Sequence, residues 1–332
     1  MGSGRGGVAD GSSSGGKRGS QVQLPATLDD FFIPGTQEGT LIDPMINPFN
    51  CRFCHEFEYD GNKEHVVAPF DNWVTSMMGQ AARDPIWHAA LAIANQDVNF
   101  GGELCIRCHS PRAWLEGRSV PTDASAFVGA DWDGVSCNFC HRVVDPVASP
   151  NNPPEDEPIL AALAADGLLP AYPGNASYVV DPYDTRRGPL PYCGDNPGPD
   201  CPPDAVPANF HGVPIITSNF HTSSAMCGTC HDVSNPVYTR QSDGTYALNA
   251  FGAAHPTLNP YDMMPEQRTY SEWRNSAFAN GGVHFSDGRF GGDHPTGVME
   301  SCQDCHMPKR YGGACNFWFE PPFFARPDVA EH

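Results

Sequence analysis

Three things are scarce in this 332-residue chain, and each scarcity excludes something. Positive charge is the first: 19 Lys and Arg stand against 39 Asp and Glu, a formal net charge of −20. A surface of that sign repels phosphodiester backbones and anionic headgroups, which argues against nucleic acid and anionic membrane as partners. It fits a cationic partner surface, or simply a solvated acidic exterior. Long apolar runs are the second: no stretch of 18 apolar residues occurs, so no membrane span is expected in this chain. The third is a leader. Residues 1–24 lack the apolar core of a secretory signal; they are rich in Gly and Ser and read as a flexible tail. What abounds instead is Gly (34) and Pro (33), together about a fifth of the chain, which points towards irregular structure.

Against this background one pattern recurs five times. It is Cys51-Arg52-Phe53-Cys54-His55, Cys105-Ile106-Arg107-Cys108-His109, Cys137-Asn138-Phe139-Cys140-His141, Cys227-Gly228-Thr229-Cys230-His231 and Cys302-Gln303-Asp304-Cys305-His306. With 13 Cys and 13 His in the chain, chance would supply about 0.02 copies of C-x-x-C-H. Two thiols three residues apart face the same way on one helical turn. They can bond both vinyl groups of a single porphyrin, and the next residue, His, is then placed to ligate the iron. A redox dithiol or half a zinc site would also use Cys-x-x-Cys, but neither needs a His directly after the second Cys. The motifs therefore imply five haem c groups, each with its iron held by His55, His109, His141, His231 or His306 on the proximal side.

Five macrocycles bring large apolar surfaces of their own, so the expected fold is mainly α with extensive irregular loops. It would be a multihaem cytochrome c architecture, with short helices wrapped around five haems and little β. The expected organisation is a tail at 1–24, a three-haem segment at 25–145, a loop-rich, Pro-rich insert at 146–220 and a two-haem segment at 221–332. Asp84-Pro85 predicts a helix start, with Trp87, Ala90, Leu91 and Ala94 on one face and Gly101-Gly102 as a stop. A short helix is expected over about Ile159 to Ala165, ending near Gly167. The phrase Phe70-x-x-Trp73-x-x-Ser76-x-Met78 repeats as Tyr270-x-x-Trp273-x-x-Ser276-x-Phe278, each about thirty residues before a motif ending His-x-Pro. Thr269 and Glu272 fit a capping box in the second copy. The short spacing from Cys105 to Cys137 suggests that the second and third haems are neighbours.

A haem that only transfers electrons needs a sixth ligand on its iron. Eight histidines lie outside the motifs. His221 stands six residues before Cys227. His284 and His294 lie in a Gly-rich loop that could approach a flat ring closely. His65 follows the first motif, and His88 lies on the expected helix but off its apolar face. These five lead as distal ligands; His211, His255, His332 and the thioether of Met78 rank behind them. Three cysteines remain. Cys193 and Cys201 are expected to close a small disulfide loop in an oxidising compartment. A metal site with Asp195, Asp200 and Asp204 is the alternative. Cys315 is either a buried thiol or a bond to another chain.

The runs DNWVTSMMGQAARDPIW, LCIRCHSPRAWLEGRS, DGVSCNFCH, MCGTCHDVSNP, TYSEWRNSAFA and SCQDCHMP resemble bacterial multihaem c-type cytochromes of the cytochrome c554-related group. The resemblance covers about 51–332 without the insert, and its closing stretch resembles a phrase that continues further in relatives. It implies electron transfer through stacked, doubly His-ligated haems. In that group a His often follows Trp-x-x-Ser as a distal ligand; here Met77-Met78 and Ala277-Phe278 stand in those places. The expected protein is an exported electron carrier, periplasmic or extracellular, its leader removed, replaced or upstream. Its partners would be redox proteins or an extracellular acceptor, and self-assembly into a longer haem array is compatible with the sequence. The alternative is a multihaem oxidoreductase of the nitrite, hydroxylamine or sulfur-oxyanion reductase type, with one open haem site and nearby acid–base groups. Pentahaem nitrite reductases carry a C-x-x-C-K motif, whereas all five motifs here end in His.

Overall fold

The longest helix, Pro85–Asp97, forms where Asp84 and Pro85 predict it: the Asp84 carboxylate accepts the Ile86 N–H at 2.9 Å, and proline occupies the first helical position. Trp87 and Leu91 are buried, while Ala90 faces solvent. The helix Glu157–Ala165 likewise ends at Gly167, whose φ of 70° lets the chain turn away. The computed structural model describes residues 23–57, 66–147, 149–191, 211–313, 315 and 325–330. Among the described residues there are ten α-helices of 4 to 13 residues, four short 3-10 helices and eleven strands. No described helix is long and apolar enough to cross a membrane.

The expectation of a mainly α chain with little β is overturned. Among the described residues helix accounts for 32% and strand for 15%, and the strands form several small sheets. The largest has three strands, with Val233–Arg240 between Tyr246–Leu248 and Met263–Gln267. Four two-stranded sheets join Val143–Val144 to Val179–Val180, Arg186–Gly188 to Ile215–Thr217, Val283–His284 to Val298–Met299 and Lys309–Gly313 to Ala325–Ala330. Most of these strands are two to five residues long. That is too short for a two-residue alternation to register in the sequence, and their pairing comes from distant contacts.

The capping box expected at Thr269 and Glu272 also fails to form. The helix Thr269–Arg274 has Arg268 as its flanking residue and no side-chain cap, while the Thr269 hydroxyl accepts from the Gln267 amide.

One apolar core gathers Trp87, Leu91, Ile106, Trp114, Leu115, Phe127, Phe139, Tyr178, Val180 and Phe220. Half-buried Cys105, Cys108, Cys140 and Cys230 pack against it. The described part of 146–220 reaches this core: Tyr178 and Val180 belong to it, and Leu160 and Val179 join Val144 in a satellite cluster. A buried ion cluster fixes the same segment. Arg187 reaches Asp156 at 2.8 Å and Asp181 at 2.7 Å, and the side chains of Arg187 and Asp156 are wholly buried.

Candidate functional site

All five motifs fold as the spacing requires. Helical backbone covers Phe49–His55, Glu103–His109, Cys137–Cys140, Ser224–Gly228 and Cys302–His306, with a turn completing the fourth motif at Thr229 and Cys230. Three have serine caps: Ser136 accepts from Phe139 N, Ser223 from Ala225 N and Ser301 from Asp304 N. In the fifth motif the Asp304 carboxylate returns the bond by accepting the Ser301 N–H at 2.8 Å. The two thiols of each motif thus lie on one face of a turn, and all ten are half-buried.

The repeated Trp-x-x-Ser phrase has a structural meaning that the sequence did not give. Trp73 donates its indole N–H to the Val135 carbonyl at 2.7 Å, and Trp273 does so to Glu300 at 2.8 Å. Each acceptor lies two residues before a motif, Cys137 in one case and Cys302 in the other. Ser76 and Ser276 bond back to the Trp73 and Trp273 carbonyls at 2.8 and 2.7 Å. The aromatic residue three places earlier meets the helix of another motif. Phe70 packs edge-on against Phe49 at 5.4 Å, and the Tyr270 ring lies over Gly228. Each copy therefore clamps two motifs together, the first with the third and the fourth with the fifth. Gly228 is obligatory in this contact, because a Cβ there would sit 2.5 Å from the Tyr270 ring. Gly228→Ala should cost about 1–3 kcal/mol through overpacking, read as a drop in the denaturant midpoint; an unchanged midpoint would refute the clamp.

The clamped motifs touch through sulfur. Cys137 and Cys51 lie within hydrogen-bonding reach of each other, as do Cys227 and Cys302. That contact pulls the Cys51 thiol down to about 7 and the Cys302 thiol down to about 6. A third contact joins the second motif to the fourth, where Cys230 and Cys108 lie within the same reach. Cys140 lies within electrostatic reach of Cys227 and Cys230, linking the third motif to the fourth. The fourth motif is thus the hub, a connection that the spacing from Cys105 to Cys137 did not suggest. Burial pushes the Cys140 thiol up to about 12; burial first, with Cys108 and Glu266 adding to it, pushes that of Cys105 up to about 11.

Imidazoles meet in two facing pairs, each made of one motif His and one outside the motifs. His55 and His211 have ring centroids 6.0 Å apart and planes within 12°; His141 and His221 are 5.6 Å apart and within 13°. Two imidazoles on opposite sides of one metal ion, each bonded at about 2 Å, have ring centres roughly 6 Å apart. The ring spacing matches an iron that takes two ligands from protein and four from a macrocycle; His221, whose Nε2 lies 2.9 Å from the Cys140 carbonyl, would ligate through Nδ1. Among the described residues no group of three His, Cys, Asp or Glu converges as a protein-only metal cage would need. An exposed apolar side chain fits as well: Phe53, inside the first motif, is 66% exposed.

Backbone carbonyls set the tautomers. His141 Nδ1 lies 2.6 Å from the Arg187 carbonyl and His109 Nδ1 lies 3.1 Å from that of Ala81, which leaves Nε2 of each available to a metal. Burial, with His141 beside it, lowers His221 to about 3. Burial lowers His211 to about 4, with Arg186, His55 and His141 adding to the effect although its outer face is exposed. Both imidazoles are therefore neutral at ordinary pH, which is the ligating form.

The remaining candidates fall in different places. His211, ranked low from sequence, is brought to the first motif by the short parallel pairing of Arg186–Gly188 with Ile215–Thr217, a long-range contact with no local signal. His294 stands 3.6 Å from Asp304 in the fifth motif. His284 is exposed on the strand pair beside it. His88 points Nε2 at the Ala82 carbonyl at 3.0 Å, between Trp87 and Trp132. The neighbouring Trp87, not an imidazole, stacks on His109 at 5.1 Å. His255 is buried with Thr239 at its Nε2 and Thr257 at its Nδ1, the setting of a core histidine. Met78 is 37% exposed, and its carbonyl accepts from Ala81 and Val135. His65, His332, Cys193, Cys201, Asp195, Asp200 and Asp204 lie outside the described residues, and Cys315 is half-buried. Comparison with protein-family models, curated proteins and solved structures returned no match.

Proposed function

We propose that this chain carries five covalently attached haem c groups and moves electrons between them, as an exported carrier serving redox proteins or an extracellular acceptor. The observation that carries this reading is the pairing of His55 with His211 and of His141 with His221, in each case a motif histidine opposite one from outside the motifs. Bound haem supplies a one-electron iron couple; the chain supplies geometry, ligation and a dry surround. The Trp73 and Trp273 clamps fix the spacing between motifs. The Ala81 and Arg187 carbonyls hold the ligating tautomers, and the packed core around Cys105, Cys108, Cys140 and Cys230 keeps water from their attachment edges. The thiol contacts pair motif one with three, two with four and four with five, and Cys140 of the third lies near Cys227 and Cys230 of the fourth, which supports a route through the fourth. The resemblance to the cytochrome c554-related group supports the same reading.

The stacking of Trp87 on His109 favours one rival, an open iron at the second motif and hence a multihaem oxidoreductase. One experiment separates them. The chain is produced with a haem-attachment system, its mass is measured, and optical and low-temperature EPR spectra are taken with and without cyanide. Five haem additions with low-spin signals that cyanide leaves alone are expected. A cyanide-binding, high-spin share of about one haem in five would instead establish the open site. A mass without covalent haem would overturn both readings.

A further inference from the structure

Two buried charges of opposite sign flank the pair of motifs joined by Cys108 and Cys230. Arg107, inside the second motif, is 2% exposed. Its guanidinium donates only to neutral carbonyls: Ala176 at 2.9 Å, Ile33 at 3.1 Å, Pro34 at 3.0 Å and Thr36 at 3.4 Å. It lies 3.9 Å above the Trp114 ring and 5.3 Å from that of Tyr178. The carboxylate facing it is Glu103, which accepts from the Trp114 indole instead of pairing with Arg107. A guanidinium stays protonated even here, so this is a fixed positive charge in a low-dielectric place. Asp232, directly after His231 in the fourth motif, is fully buried. It accepts from Ser271 at 2.7 Å, and its nearest cation, Arg268, is 3.9 Å away.

Both arrangements carry an electrostatic cost. A buried charge without a close counter-charge costs stability, and an apolar residue of similar shape would avoid that cost. Both charges do have a use beside a redox centre. Reduction adds one negative charge to a haem, so a fixed cation nearby favours the reduced form and a fixed anion opposes it. Solvent cannot screen either effect at a buried site. Arg107 faces the thiols of both Cys108 and Cys230, but it is part of the second motif; Asp232 adjoins only the iron-ligating histidine of the fourth.

We propose that Arg107 and Asp232 set a potential step between the haems of the second and fourth motifs, the second being the higher, so that electrons arriving at the hub are drawn towards the second motif. This rests on the haem reading above. The test is a spectroscopic redox titration of the five-haem protein and of three variants, each first checked for haem content by mass. Arg107→Gln should lower the midpoint of the highest-potential haem by at least tenfold in its equilibrium constant, or about 59 mV for one electron. Arg107→Lys, which keeps the charge without the planar fork, should hold it near its original value. Asp232→Asn keeps the shape and the acceptor for Ser271, and should raise a low-potential midpoint. Unmoved midpoints in Arg107→Gln, or equal shifts in the Gln and Lys variants, would overturn the proposal by assigning Arg107 a structural role. If Arg107→Gln does not take up five haems, Asp232→Asn decides alone, and an unmoved or lowered midpoint there rejects the step. A parent protein without covalent haem would remove the reading on which this rests, before any potential is measured.

Discussion

Replacing Arg187 by methionine will destabilise the folded protein by about 3–5 kcal/mol, a large share of the 5–15 kcal/mol that holds a typical domain together. The cost comes from what is left behind. Arg187 pairs with Asp156 and Asp181, and the Asp156 side chain is fully buried. Without the guanidinium, Asp156 and Asp181 would face each other unpaired. The strand Arg186–Gly188 would lose its anchor, and with it the Arg187 carbonyl that accepts from His141 Nδ1. Denaturant unfolding of the haem-loaded protein, with the slope unchanged, reads this directly. A loss below about 1 kcal/mol, the scale of an ordinary surface change, would show that the ion cluster does not brace the site.

His221→Ala is expected to turn about one haem in five from low-spin to high-spin and to make it bind cyanide, with all five haems still attached. His221 is the ring opposite His141, and alanine has no ligand atom to replace it. On the proposed reading, covalent attachment would use Cys137 and Cys140, which the change leaves alone. His255→Ala serves as the control: its nitrogens face Thr239 and Thr257, so it should lose stability without any high-spin signal. A low-spin His221→Ala protein identical to the parent would mean that His141 finds its partner elsewhere.

The C-x-x-C-H residues were legible at once, because three-residue spacing and an adjacent His are local features that one helical turn satisfies by itself. The small sheets were not: a two-residue strand such as Val143–Val144 leaves no periodic trace, and its partner Val179–Val180 lies far away in sequence. Nor was the role of Trp73. Its repeat was visible, but the second motif follows it in sequence while its indole bonds to the residue leading into the third. His211 was ranked low because nothing near it in the chain marks it; a parallel strand pair carries it to His55.

Composition and contacts within a turn or two already fix the five C-x-x-C-H motifs with the histidine that closes each, the acidic balance and the helix at Asp84-Pro85. Only the tertiary structure decided which motifs are neighbours, which distant histidine faces which proximal one, and which charges are stranded in the interior. Those outcomes depend on burial and on long-range packing, where a carbonyl such as that of Val135 or Arg187 meets its donor only after the chain has closed around it.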